Sequence, residues 1–279
     1  LTAPQLRPQN LLLMLLGDFV LDREVCVFSG SVIDALDRLG VSEHAARSTL
    51  TRMAARDLLH RRRHGRRMYF GLTGRSTAVL RDGRTRIWRT GAVNDDWDGT
   101  WTLLCFSLPE SWQRQRHDLR SQLAWAGFGP LQGGLWIAPG HAATAEIVAG
   151  LGLAAHVRVF RARADELTDV AAMIGDAYDL PGLAARYEAF LAEWDGDIPA
   201  DPFAARLRLI AEWHDAIRYD PRLPVEHLPP DWPGIRAQKL FRELEAALEA
   251  PARAVAAGLL DLRPDTPAGP DAAVRESAP

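Results

Sequence analysis

The apolar positions of the first ninety residues recur at helical spacing three times and then change period. Pro8 and Asn10 open a run, LLLMLLGDFV, that reads as a core-facing helix to about Val20. Ser29 or Ser31 is placed to cap a second helix through SVIDALDRL, with Val32, Ile33, Leu36 and Leu39 on one face and Gly40 as its stop. Ser42 then caps a third helix, EHAARSTLTRMAARD, with Glu43 favourable in its first turn. Ala46, Leu50, Met53 and Ala54 supply its buried stripe at i, i+4, i+7 and i+8. Beyond Asp57 the stretch LLHRRRHGRRMYFGL places two short extended runs about Gly65, which predicts a hairpin. Thr73 starts a further helix, to about Arg89. Two helices joined by a tight turn, followed by a hairpin, predict a winged helix-turn-helix over residues 1–93.

The next block alternates strand and helix. GAVNDDWDGT, residues 91–100, is polar and turn-rich and reads as a linker. WTLLCFS is a buried strand, and PESWQRQRHDLRSQLAWAG a helix with Leu119, Leu123 and Ala126 inward. FGPLQ and GLWIA are short strands around Gly133 and Gly134, HAATAEIVAGLG is a helix and HVRVFRA a strand. The order βαββαβ predicts a ferredoxin-like domain over residues 94–164. From Asp165 the pattern is helical, with amphipathic segments near 180–194, 200–218 and 234–261, so residues 165–262 read as a helical domain. The proline-rich YDPRLPVEHLPPDWPG between the last two is a rigid loop. Residues 263–279, polar with four prolines, read as a disordered tail. The expected fold class is therefore α+β and multidomain, with no internal repeat.

Charge sharpens this picture. The 279 residues carry a formal net charge of -3, but residues 1–93 hold 16 Arg against 8 acids, a balance of +8, and the remainder balances at -11. The stretch from His44 to Leu72 contains eight arginines and one acid. One end of the chain therefore suits a polyanion that the rest repels. Lys239 is the only lysine, a bias that genome composition also produces, so the clustering of arginine carries more weight than its identity. Cys26 and Cys105 are far apart, without a CxxC pattern, which suggests neither a disulfide framework nor a thiolate metal site and suits a reducing cytoplasm. The run LLLMLLGDFVL breaks at Gly17-Asp18, well short of the roughly 20 apolar residues of a membrane span.

A recognition helix needs an apolar face for its own core and short polar or cationic side chains opposite. His44, Arg47, Ser48, Thr51 and Arg52 lie opposite the third helix's apolar stripe. Arg can grip guanine O6 and N7 with two hydrogen bonds, worth about 1–3 kcal/mol of discrimination. Arg61, Arg62, Arg63, His64, Arg66 and Arg67 flank the hairpin turn, within reach of phosphates or of a minor groove. These eleven residues are the expected double-stranded DNA contacts. The competing reading is a solvated cationic face, or a module that meets an acidic protein. His60 and His64 are four apart, but cations surround them, so no metal site is expected.

Enzyme signatures are missing: there is no GxSxG, no GKS/T and no HExxH, and the glycines of GFGPLQGG lead from helix into strand, the wrong order for a dinucleotide loop. No catalytic residue and no cofactor is expected. The alternative is an enzyme acting on an acyl-CoA or a nucleic acid, with a DNA-binding domain appended. Trp97, Trp101 and Trp136 in the middle block and Trp213 in the helical part either fill cores or wall a pocket for an aromatic ligand.

WDGTW at 97–101, LRSQLAWAGFGPLQGGLWIAP at 119–139 and DPRLPVEHLPPDWPG at 220–234, behind RSTLTRMAARDLL and a GRRMYF wing, resemble in this order the PaaX family of bacterial transcriptional repressors. The resemblance extends to about residue 262. It implies a winged-helix domain, a middle domain similar to Cas2 and a helical C-terminal domain. It also implies a homodimer on a palindromic operator, released by an aryl-acyl-CoA, typically phenylacetyl-CoA, in the control of phenylacetate-type catabolism. Cas2-like nucleases place an aspartate at the end of the first strand; Ser107-Leu108-Pro109 stands here, so nuclease chemistry is not carried over. The family's histidine and paired arginines ahead of the DPxLP loop are replaced by Ala211, His214 and Asp215, while Trp213 is retained. Trp97, Trp101, Trp136, Trp213, His214 and Arg218, the last as a substitute cation, are the expected effector contacts.

Overall fold

The protein is described by a computed structural model covering residues 7–90, 92–132 and 134–265. The chain divides into two compact units, both discontinuous in sequence. One comprises residues 1–85, 198–212 and 243–279; the other comprises 86–197 and 213–242.

The first unit begins with α1 (Pro8–Phe19), which has proline in its first turn. Leu11, Leu12, Leu15, Leu16 and Phe19 form its buried stripe, as the LLLMLL run requires. A short strand, β1 (Val25–Phe28), comes next and was not legible from periodicity. It leads directly into α2 (Ser29–Asp37), which buries Val32, Ile33, Ala35 and Leu36. Neither serine caps α2. Phe28 stands at the cap position without a side-chain bond, and Ser31, one turn in, donates to the Phe28 carbonyl at 2.9 Å. The strand delivers the chain into the helix, so the serine is free for this role.

In α3 (Glu43–Ala55) the Ser42 hydroxyl accepts from the Ala45 amide, and Ala46, Thr49, Leu50 and Met53 are buried. The hairpin is β2 (Leu59–His64) paired with β3 (Arg67–Leu72) from Leu59↔Leu72 to His64↔Arg67. That register leaves a two-residue loop, and Gly65 takes its first position at φ +59°, where a side chain would be strained. Thr73 caps α4 (Gly74–Arg84), and the chain continues as a π-helical turn over Thr85–Thr90.

Two distant pieces complete this unit. From α9 (Pro202–Ile217), Phe203, Leu207 and Ala211 join the α1–α3 core, with Phe203 stacked on Phe19 at 5.4 Å. From α10 (Pro233–Leu259), Ala256 does the same, followed by Leu260. Arg206 of α9, 2% exposed, is held by Asp18 of α1 at 2.7 Å and by Glu245 of α10 at 3.1 Å. Burial opposes this charge, but the two carboxylates outweigh it and raise the guanidinium above its ordinary range. Finally β8 (Leu262–Pro264) pairs antiparallel with β1, giving a sheet of order β2-β3-β1-β8. Arg263 and Pro264 begin the segment read above as a tail; residues 266–279 of that segment lie outside those described. The pairing with β1, more than 230 residues away in sequence, is what draws them into a strand.

The second unit contains β4 (Trp101–Phe106), α5 (Gln113–Trp125), β5 (Gly129–Pro130), β6 (Leu135–Pro139), α6 (Thr144–Gly150) and β7 (Val157–Ala162). The sheet order is β5-β6-β4-β7, antiparallel throughout, the interleaving that the βαββαβ pattern predicts. One core gathers Leu104, Leu119, Leu123, Trp136 and Leu153. A second joins Trp101 and Ile137 to Ile174 and Ala177 of α7 (Val170–Ala177) and to Leu223. After α8 (Leu180–Trp194), an aromatic cluster forms: Trp213 is fully buried, stacked on Phe241 at 4.8 Å and flanked by Tyr187 and Phe190.

The proline-rich loop is pinned by its polar residues. Asp220 accepts from the Tyr187 hydroxyl and from the Arg222 amide; burial pushes the Asp220 carboxyl up against those bonds. The Arg222 side chain donates to the Val93 carbonyl at 2.9 Å, and Asn94 donates back to the Arg222 carbonyl at 2.9 Å.

Candidate nucleic-acid interface

The caps and stripe of α3 turn its opposite face outward. His44, Arg47, Thr51 and Arg52 are exposed there, and Ser48 is half-buried. Arg47 is paired with Glu43 one turn earlier at 2.7 Å. Both side chains of that pair are more than 60% exposed, and such a pair is worth only about 0.3–0.5 kcal/mol. Arg52 donates to the Thr49 hydroxyl at 3.1 Å. None of the five is paired with a buried carboxylate among the described residues.

The hairpin separates its cations by strand alternation. Arg61 and Arg63 share the face of Leu59, Met68, Phe70 and Leu72, which is core near the sheet and solvent near the tip. Arg61 and Arg66 are exposed and make no side-chain hydrogen bond or ion pair among the described residues. Arg63 bonds only to the Gly65 carbonyl of the turn, at 3.1 Å. The other face carries His60, Arg62 and His64 opposite Gly71, Tyr69 and Arg67. Here the structure adds groups that the sequence did not suggest. Asp261 accepts from Arg67 at 2.9 Å and from the Tyr69 hydroxyl at 2.8 Å. The Tyr69 hydrogen bond, helped by Arg67, holds the Asp261 carboxyl below its ordinary range. Asp265 meets His60 Nε2 at 2.7 Å and Arg62 at 3.2 Å. His64 stands edge-on to Tyr69 with Nε2 4.0 Å from the Cys26 sulfur. Among the described residues no group of three or more metal-ligating side chains comes together.

The expected effector residues are distributed over several packed clusters. Trp97 and Trp101 meet edge-to-face at 5.4 Å, and Trp97 also packs on His227. Trp136 belongs to the core that Leu119 and Leu123 line, apart from the one that holds Trp101. Trp213 sits in the aromatic cluster of α8, α9 and α10. His214 is half-buried on α9, and Arg218 pairs with Asp215 at 3.2 Å and lies over the Tyr219 ring. The indole nitrogens of Trp101 and Trp213 are buried without a hydrogen-bond partner.

Three family models match this chain in succession. Residues 7–76 match a PaaX-like protein model, residues 94–174 the PaaX protein central Cas2-like domain, and residues 178–258 the PaaX-like protein C-terminal domain. The chain belongs to the PaaX family. A curated relative within it is Transcriptional repressor PaaX of Escherichia coli (strain K12), 29% identical over 248 residues, which is 83% of this chain and 77% of that protein. Among solved structures, the uncharacterized protein Rv0674 from Mycobacterium tuberculosis superposes with a TM-score of 0.60 at 24% identity, covering 89% of this chain and 97% of that one, a likeness of fold. The N-terminal PaaX match contains both cationic elements, α3 and the hairpin. The C-terminal match ends at Gly258, so Asp261, β8 and Asp265 fall outside all three. No described helix is long and apolar enough to cross a membrane.

Proposed function

We propose that this protein is a transcriptional repressor. In this reading α2, α3 and the β2–β3 hairpin work as a winged helix-turn-helix, with α3 in the major groove of an operator. One observation carries the reading: the outward face of α3 and the hairpin tip offer arginines with no buried carboxylate partner among the described residues, in a unit whose core is complete without them. The repressor named among the relatives supports it, and so does the family match over the same residues.

The chemistry follows from the groups exposed. Arg47 can exchange its weak pair with Glu43 for a bidentate guanine contact, a net gain since discrimination at such a contact is about 1–3 kcal/mol. Ser48 and Thr51 supply hydroxyls for a phosphate or a base edge, and Arg61, Arg63 and Arg66 neutralise phosphates beside the groove. Each phosphate neutralised contributes roughly -0.9 to the slope of log K against log salt. Arg47→Ala combined with Arg52→Ala is expected to abolish binding to the DNA adjoining the gene while leaving thermal unfolding unchanged. Undiminished binding in that variant would contradict the placement of the recognition face.

A homodimer would present two such helices one turn of DNA apart, or a multiple of it. Phenylacetyl-CoA or a related aryl-acyl-CoA would release it, in control of an aromatic-acid catabolic operon in the cytoplasm. A hundredfold loss of DNA affinity requires about 2.7 kcal/mol of differential effector binding between the two states. Trp97, Trp101, Trp136, Trp213, His214 and Arg218 are the residues assigned to that effector. Titrating phenylacetyl-CoA into the protein–DNA complex is expected to lower the bound fraction; no release by this or related thioesters would remove the effector from the reading.

A further inference from the structure

The back face of the hairpin is closed by the strand that follows the last helix. Three residues of β8 pair with β1, and backbone bonds fix each end: Phe28 N–H donates to the Asp261 carbonyl at 2.9 Å, and Asp265 N–H donates to the Glu24 carbonyl at 2.9 Å. Asp261 is held further by its own amide, which donates to the Ser31 hydroxyl at 3.3 Å. These anchors place one carboxylate at each end of β8, on Arg67 with Tyr69 and on Arg62 with His60. Gly71 leaves the room: a Cβ there would lie 2.5 Å from the His60 ring and 2.8 Å from Asp265 Oδ2.

We propose that β8 with Asp261 and Asp265 is an acidic latch that competes with DNA phosphate for Arg62 and Arg67 and so weakens the protein's own grip on DNA. The inference rests on the DNA-binding reading above. Carboxylate and phosphate use the same guanidinium donors, and a fixed carboxylate answers them before DNA arrives. The contrast within one hairpin is the ground for it. Arg61 and Arg66 have no carboxylate partner among the described residues, while Arg62 and Arg67 each have one supplied from a segment about 200 residues away. The strand itself is short: β8 is three residues long, ends in proline, and has β1 as its one strand neighbour among the described residues.

The test uses the full chain and a labelled random-sequence DNA duplex, with affinity measured over a range of salt. Asp261→Asn with Asp265→Asn is expected to tighten binding roughly three- to tenfold, the scale of two partly exposed ion pairs. The salt slope should steepen by about 1–2 as two further arginines meet phosphates. Asp34→Asn with Asp37→Asn takes the same charge from α2 without freeing an arginine, and should tighten binding less and leave the slope alone. Equal effects from the two variants would assign the gain to net charge and overturn the latch. Weaker or unchanged binding by a latch variant with native thermal unfolding would overturn it too, and would make the carboxylates positioning groups for the arginines. If the double variant unfolds, Asp265→Asn alone should give about half the change in slope, and no change would count against the latch. Salt-dependent binding by the unaltered chain keeps the DNA reading intact whatever the latch variants do; its absence would sink both.

Discussion

Arg206 shows how much one residue can hold together. Its guanidinium is almost wholly out of water and is met by Asp18 of α1 and Glu245 of α10. Removing one partner from a buried ion pair leaves an uncompensated charge, typically at a cost of about 3–5 kcal/mol. Asp18→Ala is therefore expected to lower unfolding stability by that amount in a urea titration. Replacing Asp18, Arg206 and Glu245 together with Leu, Met and Gln should cost less, because no unpaired charge then remains at this contact. If the single and triple replacements cost the same, the pairing is not what stabilises the contact. The exposed Arg47–Glu43 pair on α3 is the opposite case: it can be given up at little cost, whereas Arg206 cannot leave Asp18.

Among the elements, those with long apolar periods were legible. The segments read near 180–194, 200–218 and 234–261 are α8, α9 and α10 to within a few residues, and α3 has both the cap and the stripe its sequence implies. The alternation of strand and helix across residues 101–162 likewise gave the order that the second sheet shows. Short elements formed by tertiary pairing were not legible. VCVF is four residues without alternation, and LRP carries a proline that argues against a strand, yet each is drawn into the sheet by a partner remote in the chain. Local side chains also moved boundaries. The helix read from Pro109 begins at Gln113, because Arg116 turns back onto the Leu108 and Pro109 carbonyls. The same distinction governs the candidate site. Its arginines stand out as a cluster along the sequence. The carboxylates that engage two of them lie in a stretch whose local composition says only that it is polar.

At the scale of the molecule, neither compact unit is one continuous stretch of chain, and this has a consequence for the cationic end. Residues 7–85 supply α1 to α4 and the hairpin, but the core they form also includes Phe203, Leu207 and Ala211 from α9 and Ala256 and Leu260 from the end of α10. A large apolar side chain contributes about 1.5–3 kcal/mol when fully buried. Losing Phe203, Leu207 and Leu260 together removes an amount comparable to the 5–15 kcal/mol that holds a typical domain folded. The same cut strands Asp18 without Arg206 and leaves β1 with an open edge where β8 had paired. A fragment of residues 1–90 is therefore expected not to behave as an autonomous DNA-binding domain. It should unfold at a far lower urea concentration than the full chain, without a sharp cooperative transition, and should bind a hydrophobic dye. A fragment that unfolds cooperatively near the midpoint of the full chain would show that α9, α10 and β8 add nothing to this core. Because α9 and α10 each run unbroken from one unit's residues into the other's, the segments that complete the core are covalent continuations of the helices that hold Trp213 and Phe241.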